Sequence, residues 1–125
     1  MSNVAEAACQ FARLLRRARR AKELSLERLG ELMGRSVCAV SNLERGVTGV
    51  PRIPDVMRLA SLLEPEIDVE ELLLLAAEAR QCVEIDLAGA SPEVLRLCVK
   101  LARAVEQGLD PAQAIKLSKS LKLAS

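Results

Sequence analysis

The sequence predicts a mainly α-helical protein, and three observations support this fold class. Half of the 125 residues are apolar, yet Phe11 is the single aromatic residue. The core must therefore be built from leucine, valine and alanine, a composition that favours helices. Apolar residues recur at helical spacing along most of the chain, and Ser or Asp precedes several of these segments as a candidate N-cap. We expect a five-helix domain at residues 1–80, a strand or linker at 81–91 and a helical region at 92–125.

The first helix is predicted over residues 4–24, with Phe11, Leu14, Leu15 and Ala18 on one face. Charge is unevenly distributed along the chain, because residues 1–58 carry 11 Lys/Arg against 6 Asp/Glu. Residues 59–91 instead carry 1 against 8, and residues 92–125 carry 6 against 3. This asymmetry suits a phosphate-facing surface at the N-terminal end and a solvated or partner-facing surface beyond it. For any single arginine, simple solvation of the first helix is the alternative.

Two short helices joined by a tight turn are predicted next. Ser25 and Ser36 can cap the two helices, and Gly34 can supply the positive φ of the turn. The apolar residues at helical spacing within the pair are Leu29, Leu32, Met33, Val40 and Leu43, and Gly46 ends the second helix. The second helix then lies against the first with its outer face free, which is a DNA-reading geometry.

These two helices resemble the lambda-repressor-like helix-turn-helix of the Cro/XRE family of bacterial and phage regulators. The resemblance covers roughly residues 11–75, and the matching positions are Ser36, Val40, Ser41, Leu43, Glu44 and Gly46. The departures are Glu23, Leu26 and Gly30, where the family usually has Gly, Gln and Ala. The resemblance also implies an ion pair between Arg19 of the first helix and Glu44 at the end of the recognition helix.

The resemblance places the base-reading positions on the exposed part of the recognition helix, at Val37, Cys38, Ser41 and Asn42. Asn42 can read adenine with two hydrogen bonds, and Val37 can touch a thymine methyl. Contacts to the DNA backbone are expected from polar or basic residues around this helix. The candidates are Arg16, Arg19, Ser25, Arg35, Thr48 and Arg52.

A loop with Gly and Pro at residues 47–54 separates the recognition helix from a fourth helix at 54–63. Asp68 is the predicted cap of a fifth helix at 69–81. Its run Leu72 to Leu75 is apolar around most of the helix circumference. A helix that packs on a core with one face does not need apolar residues on its other faces. We therefore expect another segment to cover part of this apolar run.

The C-terminal third is expected to make a homodimer. Residues 82–87 alternate apolar and polar side chains, which fits either a half-buried strand or an extended linker. Two helices are predicted at 92–107 and 111–123, and this hairpin is too small to fold alone. The candidate dimer contacts are Val83, Ile85, Leu87, Leu97, Leu101 and Val105.

Cofactor and metal sites are not expected, because the chain has no His and its four cysteines are widely spaced. Cys9, Cys82 and Cys98 are interpreted as small core residues, and Cys38 as an exposed residue of the recognition helix. The sequence shows neither a membrane-spanning run nor a signal-peptide pattern, so we expect a cytoplasmic protein without membrane contact.

The leading functional hypothesis is a sequence-specific transcriptional regulator that binds double-stranded DNA, as a dimeric repressor on an inverted repeat. The alternative is an antitoxin or adaptor whose C-terminal region binds a partner protein, with DNA binding for autoregulation. An enzyme is not expected, since the sequence has no His, no glycine-rich phosphate loop and no clustered carboxylate pair.

Overall fold

Seven helices form the part of the chain that the computed structural model describes, residues 4–121, and no β-strand occurs in that range. The helices are α1 (Val4–Ala21), α2 (Leu26–Met33), α3 (Val37–Glu44), α4 (Ile53–Leu63), α5 (Val69–Arg80), α6 (Pro92–Glu106) and α7 (Pro111–Ser120). The chain divides into two compact units, Met1–Asp86 and Leu87–Ser125. The mainly helical prediction is therefore confirmed.

The helices of the first unit begin at side chains that cap them. The Ser25 hydroxyl accepts a hydrogen bond from the Arg28 amide at 2.9 Å, and Ser36 accepts from the Ala39 amide at 3.1 Å. At the end of α2, Gly34 adopts the left-handed conformation with φ of 70°. A left-handed residue at this position stops a helix and turns the chain sharply, so α3 follows α2 after a short turn.

One hydrophobic core joins the helices of the first unit. Its largest fully buried side chains are Phe11, Leu15, Leu29, Val40, Val56, Leu59, Leu63 and Leu72. Helix α5 packs against both α1 and α4. Within the apolar run of α5, Leu72 is fully buried, whereas Leu74 is 64% exposed. The core thus uses one side of this run and leaves the other uncovered within the unit.

Backbone packs directly on backbone at the turn between α2 and α3. Gly30 is buried, and a Cβ atom added there would lie 2.6 Å from the Arg35 carbonyl oxygen. The Arg35 amide also donates a hydrogen bond to the Gly30 carbonyl at 2.8 Å. Side-chain carbon atoms do not approach a carbonyl oxygen this closely, so the absence of a side chain allows the observed turn.

Lys22 connects the end of α1 to the end of α4. Its ammonium group donates hydrogen bonds to the Leu62 carbonyl at 2.8 Å and the Glu64 carbonyl at 2.7 Å. The last carbonyls of a helix lack intrahelical partners and carry partial negative charge. A lysine there satisfies two of these groups and links the end of α1 to the end of α4.

The strand at residues 82–87, one of two possibilities left open by the sequence, is not found. A strand needs a partner, and no other described segment is extended in a way that pairs with it. Instead this segment follows α5 as irregular backbone, and its Glu84 carboxylate pairs with Arg52 and Arg80. An irregular segment that joins the two units agrees with the linker alternative.

Some helix ends differ from the prediction. Helix α1 ends at Ala21 instead of Leu24, because Glu23 adopts a left-handed φ of 58° that no continuing helix allows. Helix α4 begins one residue early, at Ile53, and α7 ends at Ser120. The predicted end of the last helix, Leu123, lies outside the described residues.

The core assignment of three cysteines is wrong. Cys9 and Cys82 are exposed, and Cys98 is partly buried. Cys9 lies on α1 opposite the stripe of Ala7, Phe11 and Leu15 that enters the core. Small apolar character alone therefore did not indicate which side of the helix is covered.

The second unit consists of α6 and α7. Helix α6 starts at Ser91, which accepts a hydrogen bond from the Val94 amide, and α7 starts at an Asp110–Gln113 capping box. Neither helix contains a buried residue in the described part of the chain. The exposed large apolar residues of α6 are Val94, Leu95, Leu97, Val99, Leu101 and Val105. No helix between residues 4 and 121 is both long and apolar enough to cross a membrane.

Candidate nucleic-acid interface

Helix α3 presents one face to the core and the opposite face to solvent. Val40, Leu43 and Glu44 are buried, and they hold the helix against the rest of the unit. Four residues predicted from the sequence to read bases form what we call the reading face: Val37, Cys38, Ser41 and Asn42. Val37 and Cys38 are exposed, and Ser41 and Asn42 are partly exposed.

An ion pair between α1 and α3 fixes the position of this helix. Arg19 Nε donates to Glu44 Oε2 at 2.6 Å, and Arg19 Nη2 donates to Glu44 Oε1 at 3.1 Å. A third bond runs from Arg19 Nη1 to the Leu24 carbonyl at 2.7 Å. The side chains of Arg19 and Glu44 are only 11% and 4% exposed. Two parallel bonds define both the distance and the orientation of the helices.

Because all three of these donors bind protein acceptors, the guanidinium of Arg19 acts first as a structural group. Arg19 was also predicted from the sequence to contact the DNA backbone. Its remaining exposed surface is small, which leaves the proposed backbone contacts mainly to other cations.

Arg45 is a residue of this surface that the sequence analysis missed. It is exposed directly after α3, and its Nη2 atom donates to Asn42 Oδ1 at 2.7 Å. The Asn42 amide nitrogen in turn lies 3.8 Å from the Cys38 sulfur. Both ends of the Asn42 amide are thus oriented by neighbours on the same helix face. The spacing of three residues between Asn42 and Arg45 could have indicated this contact.

The loop after α3 carries two further candidates, Thr48 and Arg52, and both are exposed. Arg52 is the residue before α4, where no side chain caps the helix. Its Nε atom donates to Glu84 Oε2 at 2.8 Å, and Arg80 Nη2 reaches the same oxygen at 3.3 Å. We call Arg52, Glu84 and Arg80 the clasp. Arg52 is 32 residues from Glu84 in sequence, so no local pattern indicated that they meet.

The clasp is charged at neutral pH. Desolvation alone would raise the pKa of Glu84, but the hydrogen bond from Arg52 and the charge of Arg80 outweigh it. The pKa of Glu84 is consequently lower than the usual value for a glutamate. The carboxylate therefore remains ionised throughout the neutral range.

The other predicted backbone contacts lie on the surface of the same unit. Arg16 and Arg35 are exposed, and Ser25 is exposed while its hydroxyl caps α2. Arg16 shares the outer face of α1 with three more arginines. The four side chains that line a shallow groove there are Arg13, Arg16, Arg17 and Arg20. Among the described residues none of the four has an ion pair, so their charge is available to a polyanion.

No group of three or more His, Cys, Asp or Glu side chains within residues 4–121 is arranged to hold a metal ion. What the described surface offers is an exposed helix face beside exposed arginines. This arrangement can bind the edges of bases and backbone phosphates.

Comparison with known protein families matches residues 10–73 to the family described as "Helix-turn-helix domain". The matched range is slightly more than half of the chain, and it extends from α1 into α5. It contains Arg19, Glu44 and the whole reading face. No curated protein and no solved structure gives a significant match.

Proposed function

The chain belongs to the helix-turn-helix domain family, whose members are DNA-binding regulators, and from this premise we propose a sequence-specific transcriptional regulator of the Cro/XRE type. In this proposal α3 enters the major groove of duplex DNA. The observation that carries it is the Arg19–Glu44 pair, which holds α3 with the reading face turned away from the core.

Base reading is assigned to the reading face, with Arg45 added to it. Asn42 has the donor and acceptor that an adenine edge requires, and Arg45 has the fork that suits guanine or a phosphate. Phosphate contacts are assigned to the exposed cations around α3, namely Arg16, Arg35 and Arg52, together with the hydroxyls of Ser25 and Thr48. Short side chains on the reading face favour modest discrimination by one half-site.

We further propose that the protein is a cytoplasmic homodimer that represses transcription from an inverted repeat by blocking polymerase. The support is the exposed apolar surface of the second unit and its linker, including Val83, Ile85, Leu97, Leu101 and Val105. Leu87 is partly buried. Pairing two copies through these side chains would remove them from water and match a two-fold repeat with half-sites about 34 Å apart.

The direct test is selection of bound sequences from a random duplex library by the purified full chain. We expect an inverted-repeat motif. Binding to the selected duplex should weaken by about a hundredfold between 50 and 200 mM salt, because several phosphate contacts release counterions. Fluorescence anisotropy at several salt concentrations measures this slope. Failure to select any motif, or an affinity that does not change with salt, would contradict the proposal.

Asn42→Ala tests the reading face. We expect a loss of about 1–3 kcal/mol on the selected site and a relaxed preference at one base position, because a pair of hydrogen bonds to one base disappears. The matched control is Gln10→Ala, which removes an exposed amide from α1 and should change neither the affinity nor the motif. An unchanged motif for Asn42→Ala would show that α3 is not the helix that reads DNA.

A further inference from the structure

The clasp lies between the loop that follows α3 and the end of α5. Two guanidinium groups converge on a single carboxylate oxygen, at 2.8 Å from Arg52 and 3.3 Å from Arg80. The Arg52 side chain is 65% exposed, whereas those of Arg80 and Glu84 are 30% and 20% exposed. The carboxylate is therefore held on an exposed cation from one side and a partly covered cation from the other.

We infer that Arg52 and Arg80 form a binding site for a phosphate of the DNA backbone, which Glu84 occupies in the free protein as an internal competitor. The inference rests on the proposed DNA binding. A carboxylate oxygen and a phosphate oxygen accept the same charge-assisted hydrogen bonds from a guanidinium. Glu84 thus imitates the phosphate that replaces it.

Arg80 is the fixed part of this site. Its Nη1 atom donates to the Val50 carbonyl at 2.9 Å, and its Nε atom is buried without an acceptor in the described chain. These positions do not depend on Glu84, so Arg80 keeps its place and its charge when the carboxylate leaves. An incoming phosphate would then meet a cation that is already oriented.

Arg52 is the part of the site that can exchange partners. It uses only Nε toward Glu84, and the other two nitrogens of its guanidinium have no partner in the described chain. Ion pairs with an exposed member contribute little to stability. The paired arrangement of Arg52 and Glu84 is therefore favoured over the separated one by about fivefold or less. A DNA duplex that the protein already binds at several other phosphates can overcome a preference of this size and place a further phosphate on Arg52.

Exchange would also free the last residues of the first unit from the loop that follows α3. Glu84 lies three residues before Leu87, where the second unit begins. When Glu84 leaves the arginines, residues 82–86 lose a contact that holds them to the loop. Because linkage is reciprocal, anything that pulls this segment away from Arg52 and Arg80 should in turn raise the affinity for DNA.

The test compares Glu84→Gln with Glu78→Gln in the full chain, on the selected duplex. Both variants remove one negative charge, but Glu78 is an exposed residue of α5 without an ion pair in the described chain. We expect Glu84→Gln to bind DNA about threefold to tenfold more tightly than the wild type, with a salt slope steeper by about one. Glu78→Gln should differ from the wild type by less than about twofold.

A second arm repeats the Glu84→Gln substitution in an Arg52→Gln background. There the gain should be smaller, because one of the two guanidinium groups that the carboxylate blocks is missing. Hydrogen exchange supplies a separate readout, in which the amides of residues 82–86 should exchange faster in the wild-type complex with DNA than in the free protein.

The outcomes separate this inference from the proposed function. If the wild type selects a motif but Glu84→Gln binds more weakly, or equally to Glu78→Gln, Glu84 is not a competitor and the inference is wrong. Slower exchange of residues 82–86 in the complex, or a full gain in the Arg52→Gln background, would overturn it as well. If the wild type binds no DNA, the proposed function and this inference both fail.

Discussion

Glu44→Ala is expected to lower the free energy of unfolding by about 3 kcal/mol, since removal of one partner from a buried ion pair leaves the other charge without compensation. The Glu44 side chain is 4% exposed and accepts two hydrogen bonds from Arg19. Without it, Arg19 keeps only its bond to the Leu24 carbonyl. Urea unfolding followed by circular dichroism measures the change.

The control for this experiment is Glu31→Ala. Glu31 pairs with Arg28 at 2.9 Å, but both side chains are more than half exposed. Exposed pairs of this spacing contribute about 0.5 kcal/mol or less, so this variant should unfold almost as the wild type does. Equal destabilisation by the two substitutions would show that the Arg19–Glu44 pair does not hold α3 in place.

The second large effect is expected from a chain that ends after Asp86. The whole core of the helix-turn-helix unit lies before this residue, and the clasp is retained. The shortened chain should therefore fold as a monomer. It should bind a single half-site weakly and lose about a hundredfold to ten thousandfold in affinity for the full repeat, because avidity disappears. Light scattering and anisotropy measure the two changes.

Variants of the full-length chain test whether the apolar surface of α6 makes the dimer. Leu97→Gln combined with Leu101→Gln should give a monomer, whereas Arg96→Gln combined with Lys100→Gln should remain a dimer. All four residues are exposed in the described chain, so neither pair disturbs a core. A monomeric wild type at micromolar concentration would contradict the homodimer. Copurification of a second protein with it would favour the antitoxin or adaptor alternative.

The parts of the fold that depend on neighbouring residues could be predicted from the sequence. The caps at Ser25, Ser36 and Asp68 and the left-handed Gly34 act within a few residues, and the structure has each of them at the predicted place. Helical spacing likewise identified Phe11, Leu15 and Leu29 as core residues. These features follow from local chemistry, which a single sequence contains in full.

Features that depend on tertiary contacts could not be predicted in the same way. Glu84 is 32 residues from Arg52, and no local pattern indicates that they meet. The alternation at residues 82–87 left a strand and a linker open, and an isolated segment without a partner has no ladder to join. Cys9 was expected in the core because cysteine is small and apolar. These properties do not indicate which face of a helix is buried. The partnership of Arg19 and Glu44 was expected only through the resemblance to a family.

The placement of α3 is independent of the side chains that would touch DNA. It depends on the backbone contact at Gly30 and on the buried pair of Arg19 and Glu44, none of which belongs to the reading face. Substitutions at Cys38, Ser41 or Asn42 can therefore accumulate without tilting the helix. Under the proposed function, the preferred DNA sequence could therefore change, by evolution or by design, while the scaffold stays the same.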